Sequence, residues 1–94
     1  MDTVFKYSLP VLDHPVLHMP KDARILSVAH QPGRPLDLLS LWALVDLEAP
    51  VVPRQFRIVG TGHDLRGETI GVYVATVLTS EGRLVWHVFD MGEE

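Results

Sequence analysis

The chain has no cysteine, which removes disulfides, thiolate metal sites and cysteine nucleophiles together. The fold must therefore hold by packing alone. Positive charge is also scarce, with eight Lys and Arg against twelve Asp and Glu and a formal charge of -4. Proteins that work on a phosphate backbone concentrate Lys and Arg on one face, so nucleic acid is not expected as the main partner. No apolar run approaches the ~18 residues needed to cross a bilayer, and the first residues lack a basic segment followed by an apolar one of about 7 to 15. A cytoplasmic protein without a membrane partner is the expectation.

Proline is missing after Pro53, and glycine is missing before Gly60 except for Gly33. Because proline removes a ladder donor, the first half should supply short and edge strands and the second half central ones. No internal repeat or low-complexity segment interrupts the chain. Charge divides along a similar line. Residues 1–36 hold four basic and three acidic residues, a net of +1, whereas 37–94 hold four basic and nine acidic, a net of -5. An acidic face there could meet a basic partner, although solubility is the plainer reading.

What is present is β-sheet. The 94 residues, 47% apolar and 21% charged, suit a single β-rich domain over 1–94. Thr3 to Leu9 alternates, with Phe5, Tyr7 and Leu9 on one face and Lys6 and Ser8 on the other. Short strands follow at Val16 to Met19 and Arg24 to His30, then a loop at Gln31 to Pro35. Residues 37–48 read as a buried strand in preference to a helix capped by Asp37. Pro50 to Pro53 reads as a loop and Gln55 to Thr61 as the next strand. The clearest signal is a hairpin, Thr69 to Thr79 and Arg83 to Asp90, joined through Ser80-Glu81-Gly82. Its alternation predicts a core containing Val72, Val74, Leu84, Trp86 and Val88. The fold expected is all-β, a small antiparallel sandwich or partly open barrel of six or seven strands; the alternative is α+β with one helix at 37–48. Open edges in such a sheet make a homodimer expected, with the open edge in the proline-free half.

The most site-like stretch is Gly60-Thr61-Gly62-His63-Asp64. Glycines at a strand end let backbone N–H groups approach a ligand, and His63 with Asp64 could move a proton. At least one of these glycines should have positive φ, and His63 should lie at the rim of the sheet, with His87 nearby. A sharp turn needs glycines in any case, so structure is the competing explanation. The spacing is not that of a P-loop or dinucleotide fold. His14 and His18 have the spacing of a helical metal pair, but Pro15 and Pro20 oppose a helix there, so neither metal nor cofactor is expected. Trp42 and Trp86 read as core, with a partner-anchoring aromatic as the minority reading. No nucleophile elbow, His-Glu-x-x-His or paired-carboxylate site is present, so the balance leans away from an enzyme.

Five blocks, Phe5-Lys-Tyr-Ser-Leu-Pro10, Ala23-Arg-Ile-Leu-Ser-Val-Ala29, Leu41-Trp-Ala-Leu-Val-Asp46, Phe56-Arg-Ile-Val-Gly-Thr-Gly-His63 and Leu84-Val-Trp-His-Val-Phe89, run through most of the chain. In this order they resemble a family of uncharacterised small proteins encoded by bacteriophages and their bacterial hosts. The resemblance transfers no activity. It implies a phage or prophage context in the host cytoplasm, where such proteins are often accessory factors that bind host or phage proteins, inhibitors of host defence among them. A non-enzymatic protein acting through protein contacts is thus the first expectation. The alternative is a small-ligand binder or small enzyme using Gly60 to Asp64.

Overall fold

A computed structural model describes residues 1–94, the side chain of Ser80 excepted. Among the described residues there is no α-helix. Seven strands form two antiparallel sheets: β1 (Asp2–Pro10), β2 (Val16–Pro20), β3 (Arg24–Ala29), β4 (Leu38–Asp46), β5 (Val51–Gly60), β6 (Val72–Thr79) and β7 (Leu84–Glu93). One sheet has the order β1-β4-β3 and the other β2-β5-β7-β6. The Cα envelope of 40 × 35 × 15 Å suits two layers about 10 Å apart, so the fold is a small sandwich that does not close into a barrel.

Strand alternation explains the layers. In β4, Leu39, Leu41, Ala43 and Val45 are buried between the sheets, while Trp42 and Leu44 point outward and are half-buried. This two-residue period rejects the helical alternative for 37–48, because a helix would rotate those four side chains off a common face. They meet Leu9, Met19, Val28, Phe56, Ile58, Val77 and Val88 in one core. β1, β2 and β3 are all edge strands, as the prolines predict, but β4 lies at the centre of its sheet with its prolines outside it.

Two local readings are corrected. Of the expected Pro50 to Pro53 loop only Pro50 stays outside the sheet; Val51 to Pro53 start β5, with Pro53 opposite His18. The bond from Phe56 N to Pro15 O fixes the phase, so even-numbered residues of β5 address β2 and Pro53 addresses the other side. There β7 is ending, and only the Pro53 carbonyl is used, by Glu94 N at 3.3 Å. The missing donor therefore costs no ladder bond. The hairpin core also differs from expectation. Val88 is buried, and Val74 and Trp86 pack against the core, but Val72 is 72% and Leu84 43% exposed. A β-bulge between Tyr73 and Ala75 shifts the alternation, so that beyond it Ala75 and Val77 face inward, while Val72, opposite Asp90 ahead of the bulge, borders an open cleft and Leu84 lies beside the turn. Thr69 to Gly71 fall outside the strand.

Candidate functional site

β5 and β6 run in the same direction with β7 between them. The connection 61–71 must consequently return along the length of the sheet. It does so across the outer face of β5. Beneath it lies Arg57, 2% exposed, whose Nε and Nη2 meet Glu68 Oε1 and Oε2 at 3.1 and 2.9 Å. Arg57 Nη1 also donates to the carbonyls of Asp13 and Ile58, both at 3.1 Å. The buried guanidinium is thus satisfied on several sides, as burial of a charge requires. His14 Nε2 lies 3.4 Å from the same Glu68 Oε1. Its hydrogen bonds with Arg57, and then that with His14, hold the Glu68 carboxyl below its ordinary value.

Beyond the loop's edge the outer face carries an ordered hydroxyl and imidazole chain. Thr61 Oγ1 lies 2.7 Å from His87 Nε2, and Thr76 Oγ1 lies 3.1 Å from His87 Nδ1. The Tyr73 hydroxyl lies 2.8 Å from Thr76 Oγ1. Tyr73 and Thr76 are three residues apart and would face opposite ways in a regular strand. The bulge at Val74 puts them on one side. The Tyr73 ring, 57% exposed, meets Phe89 edge-on at 5.9 Å between centroids. Both imidazole nitrogens are matched to hydroxyls, which fixes the ring's orientation and makes the pair with Thr61 a route for proton exchange at the surface. Beside Thr61 lies an open cleft of about 260 Å³, with Gly60, Arg83, Leu84 and Trp86 in its wall.

The predicted site residues therefore divide. Thr61 and His87 come together, although they are 26 residues apart. His63 is exposed and closes the turn through its N–H to Gly60 O at 3.1 Å, and Asp64 Oδ1 accepts the Arg66 N–H at 2.9 Å. These contacts shape the turn and do not pair His63 with Asp64 for proton transfer. Gly62 has φ +84°, as a left-handed turn position requires, while Gly60 does not have positive φ. A Cβ at Gly60 would meet Trp86 Cζ3 at an ordinary 3.7 Å, so neither φ nor crowding requires glycine there. Sequence reading missed Tyr73, Thr76 and Phe89, which only the bulge aligns, and Arg57 with Glu68, which only the returning loop brings together.

At the other end of the sandwich Arg54 grips Asp90 with Nε to Oδ1 at 2.9 Å and Nη2 to Oδ2 at 2.6 Å, and Nη1 donates to Ala23 O at 2.9 Å. This pair lines an open cleft of about 320 Å³ between β3 and β6. Burial pushes the Asp90 carboxyl up, but the hydrogen bonds from Arg54 and Gly92 and the Arg54 charge outweigh it and hold the group low. Among the described residues no three His, Asp or Glu side chains gather as metal ligands, and no helix is long and apolar enough to cross a membrane.

Comparison with protein families matches residues 1–94 to a domain of unknown function, DUF7352, and the chain belongs to that family. Comparison with curated proteins and with solved structures gives no match.

Proposed function

We propose that this protein is a non-enzymatic accessory factor that acts through protein contacts on the outer face of β6 and β7. The observation that carries this reading is the exposed Tyr73 ring, set edge-on against the half-buried Phe89 beside the Thr76, His87 and Thr61 chain. Such a patch combines a large, conformationally restricted apolar surface with adaptable polar groups, the composition found at the centres of protein interfaces. The resemblance of the five sequence blocks to phage and prophage proteins supports this reading, with a host or phage protein in a bacterial cytoplasm as the partner and inhibition of a host defence system as the corresponding role. Photocrosslinking from position 76 should capture one defined partner, and Tyr73→Ala should abolish capture without changing the melting temperature. Equal capture by the parent and Tyr73→Ala would refute the assignment of this face.

The 2.7 Å approach of Thr61 Oγ1 to His87 Nε2 favours a second reading, a small-ligand binder or small enzyme at the adjacent cleft. Turnover or ligand binding lost in both Thr61→Val and His87→Ala, but retained in Tyr73→Ala, would select it.

A further inference from the structure

The four edges of the two sheets are not equally protected. β3 and β6 lie against each other where the sheets approach, and each is broken by a bulge, at Ile25/Ser27 and Tyr73/Ala75. β2 has five residues and is bracketed by Pro15 and Pro20. β1 is nine residues long and pairs with β4 without interruption from Asp2↔Asp46 to Pro10↔Leu38. A long, regular edge with no bulge is the form that pairs with another strand. We propose that β1 pairs antiparallel with β1 of a second copy, in the register Asp2↔Lys6′, Val4↔Val4′, Lys6↔Asp2′, and joins two three-stranded sheets into one of six. This surface is separate from the outer face of β6 and β7, so the two proposals stand or fall separately.

Hydrogen-bond phase and charge together choose that register. Leu47 N donates to Met1 O at 3.2 Å and Val11 N to Asp37 O at 2.9 Å, at the two ends of the β1 and β4 ladder. Odd-numbered residues of β1 therefore address β4, and Asp2, Val4, Lys6 and Ser8 turn their backbone groups to the open edge. Pro10 occupies the same phase, where a missing N–H leaves the ladder intact. A two-fold axis at Val4 makes the outward-facing residues exchange hydrogen bonds and sets Lys6 opposite Asp2′ twice. An axis at Lys6 would oppose two lysines, and one at Asp2 two aspartates. Lys6 Nζ already donates to Gln31 Oε1 at 3.0 Å, and an ammonium has two further donors for Asp2′.

The apolar side chains agree. Phe5 sits opposite Ala43 on the inner face of its sheet, yet is 44% exposed, and Val4 on the outer face is 52% exposed. The pairing places Val4 on Val4′ and Phe5 on Thr3′, which covers both.

Sedimentation equilibrium of the full chain tests this. The parent should shift from 10.5 kDa to twice that mass with rising concentration. Asp2→Lys and Lys6→Asp should each weaken association by at least ~10-fold through like charges face to face, and the double exchange should restore it. Val4→Pro removes only an edge-facing donor and should leave a folded monomer. A parent that stays monomeric at millimolar concentration, a double exchange that does not restore association, or a folded Val4→Pro that still dimerises would each overturn the proposal. If Val4→Pro does not fold, the charge exchange decides alone.

Discussion

Arg57 and Glu68, eleven residues apart, close a two-pronged ion pair beneath the segment that carries the chain from β5 back to the start of β6. The cation is buried while the carboxylate stands at the surface, with side-chain exposures of 3% and 36%. The pair thus fastens a surface loop to a buried anchor. Because loops open more readily than the strands beneath them, losing the carboxylate should act locally first. Glu68→Gln is expected to speed amide exchange across residues 61–71 and leave the amides of β4 and β7 nearly unchanged. Uniform acceleration in both regions would show that the pair supports the whole sandwich.

The two acidic anchors set a direction for pH dependence. Glu68 and Asp90 are both held below their ordinary values in the folded protein. A group depressed on folding contributes stability that is fully present above its unfolded value, near 4 for a carboxylate, and is lost as pH falls through its folded value. Denaturant unfolding should therefore show stability falling with acid below pH ~4. The fall should be shallower in Asp90→Asn and shallower again when Glu68→Gln is added. Parallel acid profiles for parent and variants would contradict the role given to these pairs.

The all-β class, the strand at 38–46 and the hairpin were legible because each rests on a local two-residue alternation or a turn signal. Asp46 and Pro50 mark the end of β4 without help from the rest of the fold. The site was less legible. Thr61 and His87 meet only because β5 and β7 pair with Gly60 opposite Trp86, a register that no local pattern encodes. Tyr73 and Thr76 share a face only because one residue is inserted at Val74, and Val72, ahead of that insertion, is exposed because it borders the open cleft between β3 and β6, which no local pattern encodes. Open edges behave alike: prolines correctly marked β1, β2 and β3 as edges, but whether an edge is covered depends on the opposite sheet.

Gly71 carries a constraint that the sequence does not announce. A Cβ at this position would lie 2.1 Å from the carbonyl oxygen of Asp90, a backbone atom that cannot swing aside. Gly71→Ala is therefore expected to destabilise by about 1 to 3 kcal/mol, as overpacking does. Gly62→Ala has open space but a φ of +84°, and should cost about 1 to 2 kcal/mol from the left-handed conformation alone. Gly62→Asn should recover part of that loss, whereas Gly71→Asn should not. Urea midpoints for the four variants separate the two mechanisms.

Trp86 joins the core and the cleft beside Thr61, and its chemistry is divided in the same way. Its ring packs against the buried cluster, but Nε1 is buried without a hydrogen-bond partner among the described residues. Removing the ring forfeits packing, so Trp86→Ala should cost about 3 kcal/mol, at the low end for a large aromatic because the residue is only partly buried. Trp86→Phe keeps an aromatic ring and deletes the unsatisfied donor. An unpaired buried N–H costs about 1 to 3 kcal/mol, which offsets much of the volume lost. The phenylalanine variant should therefore unfold within about 1 kcal/mol of the parent, since the two terms oppose each other. Equilibrium unfolding by urea, followed by far-UV circular dichroism so that loss of the fluorophore does not matter, gives both values. If Trp86→Phe is as unstable as Trp86→Ala, the Nε1–H is satisfied in solution, and a water or ligand in the adjacent cleft is its partner.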